Sequence, residues 1–335
     1  MLTTIKRFKN RFSLCTDYMF GREEQYGYPN EIVLELTNHC NLKCVTCPHP
    51  KMERTKGFMS MELIDKILEQ AEGKIELVDL DMFGESLMHK QVFEIIEKCR
   101  AKGIATLLNT NMTWEPKELL QELATKGPDM LVLSIDGATK ETYEAVRVGG
   151  KWEKVIENVD FFLNQTPRSY TVLQMVVSSM TESDVDPFMK YWKGKADRLR
   201  LHPYEVLDPE CQDLAITVEG TAHKKPCVLP WRKMAISWDG TVVPCCADYD
   251  KIHPLGNASE QSISEIWNGE PLRDFRRKHS GGKAGDIKLC STCNGFAASV
   301  PVLAGSVIVN SYNSKKILHV LDNLMVRKQV KAISY

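Results

Sequence analysis

No run in the 335-residue chain approaches the roughly eighteen consecutive apolar residues of a membrane span, so no transmembrane anchor is expected. The stretch Met1 to Asn30 is basic and aromatic but lacks the apolar core of a secretory signal, and a cytoplasmic location is expected. Charge of one sign is lacking as well. With 43 basic and 44 acidic residues the formal net charge is −1, which gives no strong field for nucleic acid or an anionic membrane. The expected partner is a small-molecule or peptidic substrate. Internal repeats and low-complexity tracts are absent, which excludes a repeat array. What remains is an ordinary globular composition, 43% hydrophobic and 26% charged, long enough for one large domain and a smaller one.

Cysteine is abundant. In a small secreted chain eleven cysteines would suggest disulfide staples, but this chain shows no export signal and is too long to need them. In a reducing compartment grouped cysteines more often hold metal. Seven of the eleven fall into two groups, Cys40/Cys44/Cys47 and Cys227/Cys245/Cys290/Cys293. Cys15, Cys99 and Cys211 are read as non-ligands.

From Glu31 to Glu205 short apolar runs alternate with amphipathic stretches. Strands are expected at Ile32–Leu36, Ile75–Met82, Ala105–Asn109, Met130–Ile135, Val172–Val177 and Arg198–His202. Helical spacing lies between them, as in Leu63, Ile64, Ile67 and Leu68, in Val92, Phe93 and Ile96, and in Val155, Ile156, Val159, Phe162 and Leu163. Strand then helix, repeated, implies an α/β fold with a parallel sheet and right-handed crossovers. Such sheets curl into full or partial barrels whose chemistry sits on loops after the C-terminal strand ends, and the Cys40 group follows the first strand. Residues 206–226 read as a polar linker. A hairpin is expected across Met234–Trp238, Asp239-Gly240 and Thr241–Val243, then a helix over Ile263–His279 stopped by Gly281-Gly282. A last amphipathic helix is expected through Ile317, Leu318, Leu321, Leu324 and Met325. The domains are then an N-terminal extension over 1–30, a core over 31–205, a cysteine-bearing unit over 227–295 and a tail over 296–335.

The segment Thr37-Asn-His-Cys40-Asn-Leu-Lys-Cys44-Val-Thr-Cys47-Pro48 puts three thiols directly after a strand. A zinc ion would need a fourth protein ligand, for which His39 or His49 is available. The spacing also resembles the signature of the radical S-adenosylmethionine (SAM) superfamily. That resemblance implies a [4Fe-4S] cluster held on three irons by Cys40, Cys44 and Cys47, with SAM on the open fourth iron, and a partial (β/α)6 barrel. Further matches follow in order. Phe83-Gly84-Glu85-Ser86-Leu87 resembles the glycine-rich segment whose acid, here Glu85, accepts the SAM amine, with Phe83 and Ser86 departing from the family's glycine and proline. Asn109-Thr110-Asn111 resembles the element lining the nucleoside site, with Met112 in place of glycine. Ser134-Ile-Asp136-Gly137, followed by Arg147 and Gly149-Gly150, resembles the segment whose serine and arginine hold the SAM carboxylate and ribose. At Thr46 many members carry an aromatic residue.

Cys227, Cys245, Cys290 and Cys293 also suit a structural zinc ribbon. Downstream of a radical SAM core they resemble the SPASM and twitch extensions, which implies a second [4Fe-4S] cluster on a small hairpin-plus-helix domain. No cysteine follows Cys293, so one auxiliary cluster is expected. Pro244 before Cys245, and Phe275-Arg276-Arg277 before the last pair, resemble the branch that oxidises aminocyclitol alcohols. The resemblance implies oxidation of a small polyol, sugar or aminocyclitol to a ketone, with the auxiliary cluster taking an electron and a flavodoxin or ferredoxin as donor. His202 and Arg200, on one face of the last core strand, are candidate bases. Cys246, adjacent to a ligand, is expected to point to the opposite side of its strand, where it would return a hydrogen atom in an epimerase. Sugar-acid decarboxylation and peptide maturation are alternatives, although only thirty residues precede the core, short for a leader-binding domain. A zinc-binding interaction module is the non-enzyme alternative.

Overall fold

The computed structural model describes residues 2–207, 209–216, 226–291, 293, 307 and 312. The chain opens with helix α1 (Leu2–Met19), for which the sequence reading assigned only an extension. Strand β1 (Glu31–Leu34), α2 (Met61–Ala71), β2 (Leu77–Asp79), α3 (Val92–Ala101), β3 (Ala105–Thr110), α4 (Lys117–Lys126) and β4 (Met130–Ser134) follow. Two helices, α5 (Lys140–Val146) and α6 (Trp152–Leu163), lead to β5 (Tyr170–Val177), and α7 (Val185–Trp192) leads to β6 (Arg198–Pro203). After the connector come β7 (Lys233–Ile236), β8 (Thr241–Val243), β9 (Gly256–Asn257), α8 (Ile263–Trp267) and α9 (Glu270–Ser280).

The sheet runs β6-β5-β4-β3-β2-β1-β7-β8-β9. The first six strands are mutually parallel, and among the described residues no pairing joins β6 back to β1, so the curl is a partial barrel. Strand β7 pairs parallel to β1, from Glu31 opposite Lys233 to Leu34 opposite Ile236. The hairpin read as the start of a second unit therefore extends the barrel sheet. Its turn is made by Gly240 at φ +87°, where the Cβ of any other residue would meet Asn257 Oδ1 at 2.5 Å.

Strand periodicity sorts the side chains. Ile32, Leu34, Val78, Leu108, Leu131, Leu133, Leu173, Leu201, Met234 and Ile236 join the main core with the helices. The alternate positions face inward. At one end Leu77, Leu107, Met130, Val132 and Val172 form an apolar layer on which Tyr312 packs. Beside it lie Val33, Ala235 and Val243 with Met82. The same parity carries Glu31, Asp79, Asn109, Ser134, Gln174, Arg200, His202 and Lys233, with Asp81 and Ser237 just beyond the strand ends. These residues line the inside of the barrel, Glu31 and Lys233 at the N-terminal ends of β1 and β7 and Asn109, Ser134 and His202 toward the C-terminal ends of their strands.

Helix α1 crosses the opposite, N-terminal ends. Arg11 pairs with buried Glu76 at 2.6 Å, and Arg7 donates to the carbonyls of Ile75 and Gly103. The helix expected over Ile263–His279 is two helices, because the chain breaks at Asn268-Gly269 and restarts with Pro271 in the first turn of α9. Gly281-Gly282 ends α9 as read. Arg276 of α9 is fully buried, donates to the carbonyls of Pro230, Glu23 and Trp267, and lies 4.4 Å over the Trp267 ring. The Phe275-Arg276-Arg277 run thus fastens α9 to the N-terminal segment. The connector has a 3-10 turn over Pro209–Leu214, and the amphipathic stretch from Ile317 to Met325 lies outside the described residues.

Candidate active site at the barrel mouth

The three-cysteine loop leaves β1 and is fixed from both sides. Asn38 donates to the Thr55 carbonyl and accepts from Gly57 N, each at 2.9 Å. Lys43 N and Val45 N donate to the carbonyls of Val148 and Val146, also at 2.9 Å, which sets the loop beside Arg147. Cys40, Cys44 and Cys47 are free thiols close enough to interact electrostatically. Burial pushes Cys40 up to about 11 and Cys47 up to about 12, so metal binding must release protons from this loop. Of the proposed zinc partners, His49 spends Nε2 on the Asn38 carbonyl at 2.9 Å, and His39 stacks on Phe58 with ring centroids 4.8 Å apart. Among the described residues no three such side chains converge as a single metal ion requires. A cubane sets each thiolate on a different iron and so accepts wider spacing, which suits three thiols on one loop within electrostatic reach of one another.

The loop after β2 lies directly against this one. Glu85 N donates to the His39 carbonyl at 2.8 Å. Gly84 adopts φ +116°, and a Cβ there would lie 2.4 Å from the Thr37 carbonyl oxygen. Only glycine permits both the conformation and the approach. Glu85 is buried, accepts from Asn111 N at 2.9 Å, and is pushed up to about 7, chiefly by burial. The Asn111 amide donates to Asn41 of the cysteine loop at 2.8 Å. Met112, where glycine was expected, takes φ +58° with its side chain fully buried, and its carbonyl accepts from Asn158 at 2.8 Å. Phe83 packs edge-on against Tyr249 beyond the hairpin.

Ser134 closes β4 on the inner face, in register with Gln174. Arg147 directs two nitrogens onto Asp136 Oδ2, each at 2.8 Å. Burial opposes its charge, but Asp136 and then Cys44 outweigh that and hold it firmly protonated. The fork expected for a cofactor carboxylate is thus turned onto the protein's own acid, beside the cysteine loop.

Across the barrel, Arg200 approaches His202 Nδ1 at 3.4 Å, and His202 Nε2 lies 3.4 Å from Glu205. Lys233 bridges Glu31 at 3.0 Å and Asp79 at 3.5 Å. Asp81 accepts from the Asn109 amide, and its pKa is raised by burial, then by Asp79. Sequence reading missed this inner acid pair, although acids at alternate positions in Leu77-Val-Asp-Leu-Asp81 mark one face of an otherwise apolar strand.

The second cysteine group also gathers. Cys227 interacts electrostatically with Cys245 and Cys290, and Cys290 with Cys293. His279, which sequence reading missed, stands between two of them. It accepts from Cys227 N at 3.4 Å and lies 3.6 Å from Cys290 Sγ. Cys246 does not oppose Cys245. The strand ends at Val243, alternation lapses, and the two thiols share a hydrogen bond. Cys246 also feels Lys233, Glu205 and Asp79, which places it toward the barrel interior. Cys99 is buried in the main core, Cys15 lies on α1, and Cys211 lies 3.9 Å from Lys51 Nζ.

Two thiol groups, one on the loop after β1 and one around the hairpin, are what the family comparisons resolve. Residues 34–191 match the radical SAM superfamily, and residues 227–294 match the SPASM iron-sulfur cluster-binding domain. The chain carries a radical SAM domain followed by a SPASM domain. It is similar to a tungsten-containing aldehyde ferredoxin oxidoreductase cofactor-modifying protein of Pyrococcus furiosus, 25% identical over 73% of this chain and 82% of that one. It is also similar to the S-adenosyl-L-methionine-dependent 2-deoxy-scyllo-inosamine dehydrogenase of Niallia circulans, 22% identical over 78% of this chain and 92% of that one. In fold it matches a crystal structure of Streptococcus suis SuiB bound to the precursor peptide SuiA, with TM-score 0.64 and 16% identity over 83% of this chain and 72% of that one. The radical SAM domain implies a [4Fe-4S] cluster and SAM, and the SPASM domain implies further iron–sulfur ligation. The zinc-module alternative is set aside by these matches. Among the described residues no helix is long and apolar enough to cross a membrane.

Proposed function

We propose that this radical SAM enzyme oxidises an alcohol of a small polyol, sugar or aminocyclitol-type substrate to a ketone. The observation that carries the reading is the meeting of the three-thiol loop, Gly84 and Glu85 over a barrel interior that is polar at its mouth and closed by an apolar layer below. Cys40, Cys44 and Cys47 would hold the SAM-binding cluster, and Cys227, Cys245, Cys290 and Cys293 the auxiliary one. When bound, the cofactors supply a 5′-deoxyadenosyl radical for hydrogen abstraction and a site for the electron the substrate gives up. Glu85 would take the SAM amine and Asn111 and Ser134 would border the nucleoside, while Arg147, braced by Asp136, sits beside the three-cysteine loop. His202, oriented between Arg200 and Glu205, takes the hydroxyl proton. A flavodoxin or ferredoxin would deliver the initiating electron.

The dehydrogenase similarity supports oxidation. A second reading, epimerisation through Cys246, is favoured by the position of that thiol near Asp79 and Lys233. The deciding experiment is anaerobic turnover of reconstituted protein against candidate polyols and aminocyclitols, scored for a keto product with one SAM consumed per product. A product isomeric with its substrate would replace the oxidase by the epimerase. Failure to form deoxyadenosine under strong reductant would end both.

A further inference from the structure

A helix on a protein surface ordinarily turns its polar side to solvent, and α1 does the reverse. Its inward side, besides Leu14 and Tyr18, is anchored by polar groups. Arg11 pairs with buried Glu76 at 2.6 Å, and Arg7 donates to the carbonyls of Ile75 and Gly103. Asn10 exchanges two hydrogen bonds with the Tyr28 backbone, and Asp17 accepts from Arg22 and from Tyr26 N. The outward side carries Ile5, Phe8, Phe12 and Met19, which fall on one stripe at i, i+3, i+7 and i+14 and are 46% to 57% exposed. The helix cannot roll to bury them without breaking those bonds, and losing Arg11 to Glu76 would strand a buried charge.

At the C-terminal end of the helix Phe20 and Tyr26 are 72% and 81% exposed, and the Arg22 guanidinium lies over both rings, 5.5 and 5.0 Å from their centroids. Large apolar side chains exposed this far and this close together exceed the single scattered residues of an ordinary surface. The charge beside them has one sign. Lys6 and Lys9 are exposed along one flank of the stripe and make no ion pair among the described residues, while the one acid of α1, Asp17, is fully buried. The near-neutral net charge of the whole chain hides this local excess. The sequence repeats the combination outside the described residues, where Lys315, Lys316, Arg327 and Lys328 bracket the amphipathic stretch from Ile317 to Met325. Tyr312, just before it, packs on the apolar layer at the end of the barrel that α1 crosses.

We propose that the outward face of α1 docks the protein on an anionic membrane surface, with Ile5, Phe8, Phe12 and Met19 at the acyl boundary and Lys6, Lys9 and Arg22 among the headgroup phosphates. A bilayer offers both halves of what the helix lacks, an apolar layer and negative charge at its edge. A second copy of the chain offers the apolar stripe but brings the same uncompensated lysines with it. Because α1 crosses the end of the barrel opposite the three-cysteine loop, the docked molecule keeps its mouth clear of the bilayer. Docking of this kind is independent of the reaction assigned above.

The test is co-sedimentation of the reconstituted full chain with vesicles of phosphatidylcholine alone and of phosphatidylcholine carrying about one third phosphatidylglycerol. Binding to the anionic vesicles is expected to be tighter by roughly tenfold or more, and to weaken as salt is added. Phe8→Ser combined with Phe12→Ser should weaken it by roughly tenfold or more, through lost apolar insertion. Lys6→Glu combined with Lys9→Glu should remove the preference for anionic vesicles. All four positions are exposed, so iron content and lipid-free deoxyadenosine formation should match the wild type in both variants. Those two readouts separate lost docking from lost folding and report on the radical SAM reading by themselves. Equal binding to both vesicles, binding that survives the two serines, or a preference for anionic vesicles that survives the two glutamates would each overturn the proposal. So would no binding to either vesicle, the result given by a stripe already covered by the chain's own tail or by a second copy.

Discussion

His279 Nε2 lies 3.6 Å from Cys290 Sγ while its Nδ1 accepts from the backbone N–H of Cys227 at 3.4 Å. A backbone N–H can only donate, so the proton of the neutral ring sits on Nε2 and points at the sulfur. The ring is buried and held against Phe275 with centroids 4.9 Å apart. A hydrogen bond to a cluster sulfur stabilises the reduced, more negative form and raises the potential.

His279→Phe should therefore keep the fold, loosen the auxiliary cluster by roughly tenfold in affinity, and move its midpoint to a more negative value. Spectroscopic redox titration with iron analysis checks both. An unchanged midpoint would show that the contact does not reach the cluster.

Gly84→Ala would demand two things at once: the left-handed φ of +116° from a residue with a Cβ, and space where the Thr37 carbonyl oxygen stands 2.4 Å away. The obstacle is backbone, so it cannot swing aside. A cost of about 3 kcal/mol is expected, with reduced iron content, because the displaced segment is the loop that carries Cys40. Thermal denaturation and iron analysis of the variant measure the two effects.

The parallel strands were legible because short apolar runs alternate with amphipathic helical stretches, and the three-thiol loop was legible from spacing alone. What failed had local causes. Cys245 and Cys246 were assigned to opposite sides by strand alternation, but β8 ends at Val243 and the rule does not extend past it. The Ile263–His279 helix was read whole because its apolar period continues across Asn268-Gly269, while Gly269 and Pro271 start a new helix there. Met112 looked like a weak match for glycine, yet Asn158 holds its carbonyl and the residue takes the glycine-like conformation. His279 carries no pattern at all, since its partners lie 52 and 11 residues away.

Glu85 is half protonated near pH 7 before cofactor binds, because burial raises it to about 7. As an acid with a raised value it gains charge as pH rises through that point, and the charged form is the better acceptor for the SAM amine. SAM affinity should strengthen with pH across this range. Glu85→Gln should flatten the dependence and weaken binding by roughly ten- to a hundredfold. Equilibrium binding at several pH values reads both, and a wild-type profile with no change through neutrality would remove Glu85 from the amine site.

Cys246 separates the two chemistries. Its thiol shares a hydrogen bond with Cys245, a proposed cluster ligand, and feels Lys233 across the interior, so its removal disturbs that cysteine and leaves the Cys40 loop in place. If the enzyme oxidises, no hydrogen atom returns to the substrate, and Cys246→Ala should retain keto product within about threefold, because the substitution removes only a small buried side chain. If the enzyme epimerises, the same variant should still cleave SAM but give no isomer, and in deuterated water the wild-type isomer should carry solvent deuterium at the inverted carbon. Serine at this position keeps the size but cannot donate hydrogen readily, so Cys246→Ser distinguishes lost chemistry from lost packing. Retained ketone in both variants fits oxidation; loss in both with SAM cleavage intact fits the thiol donor.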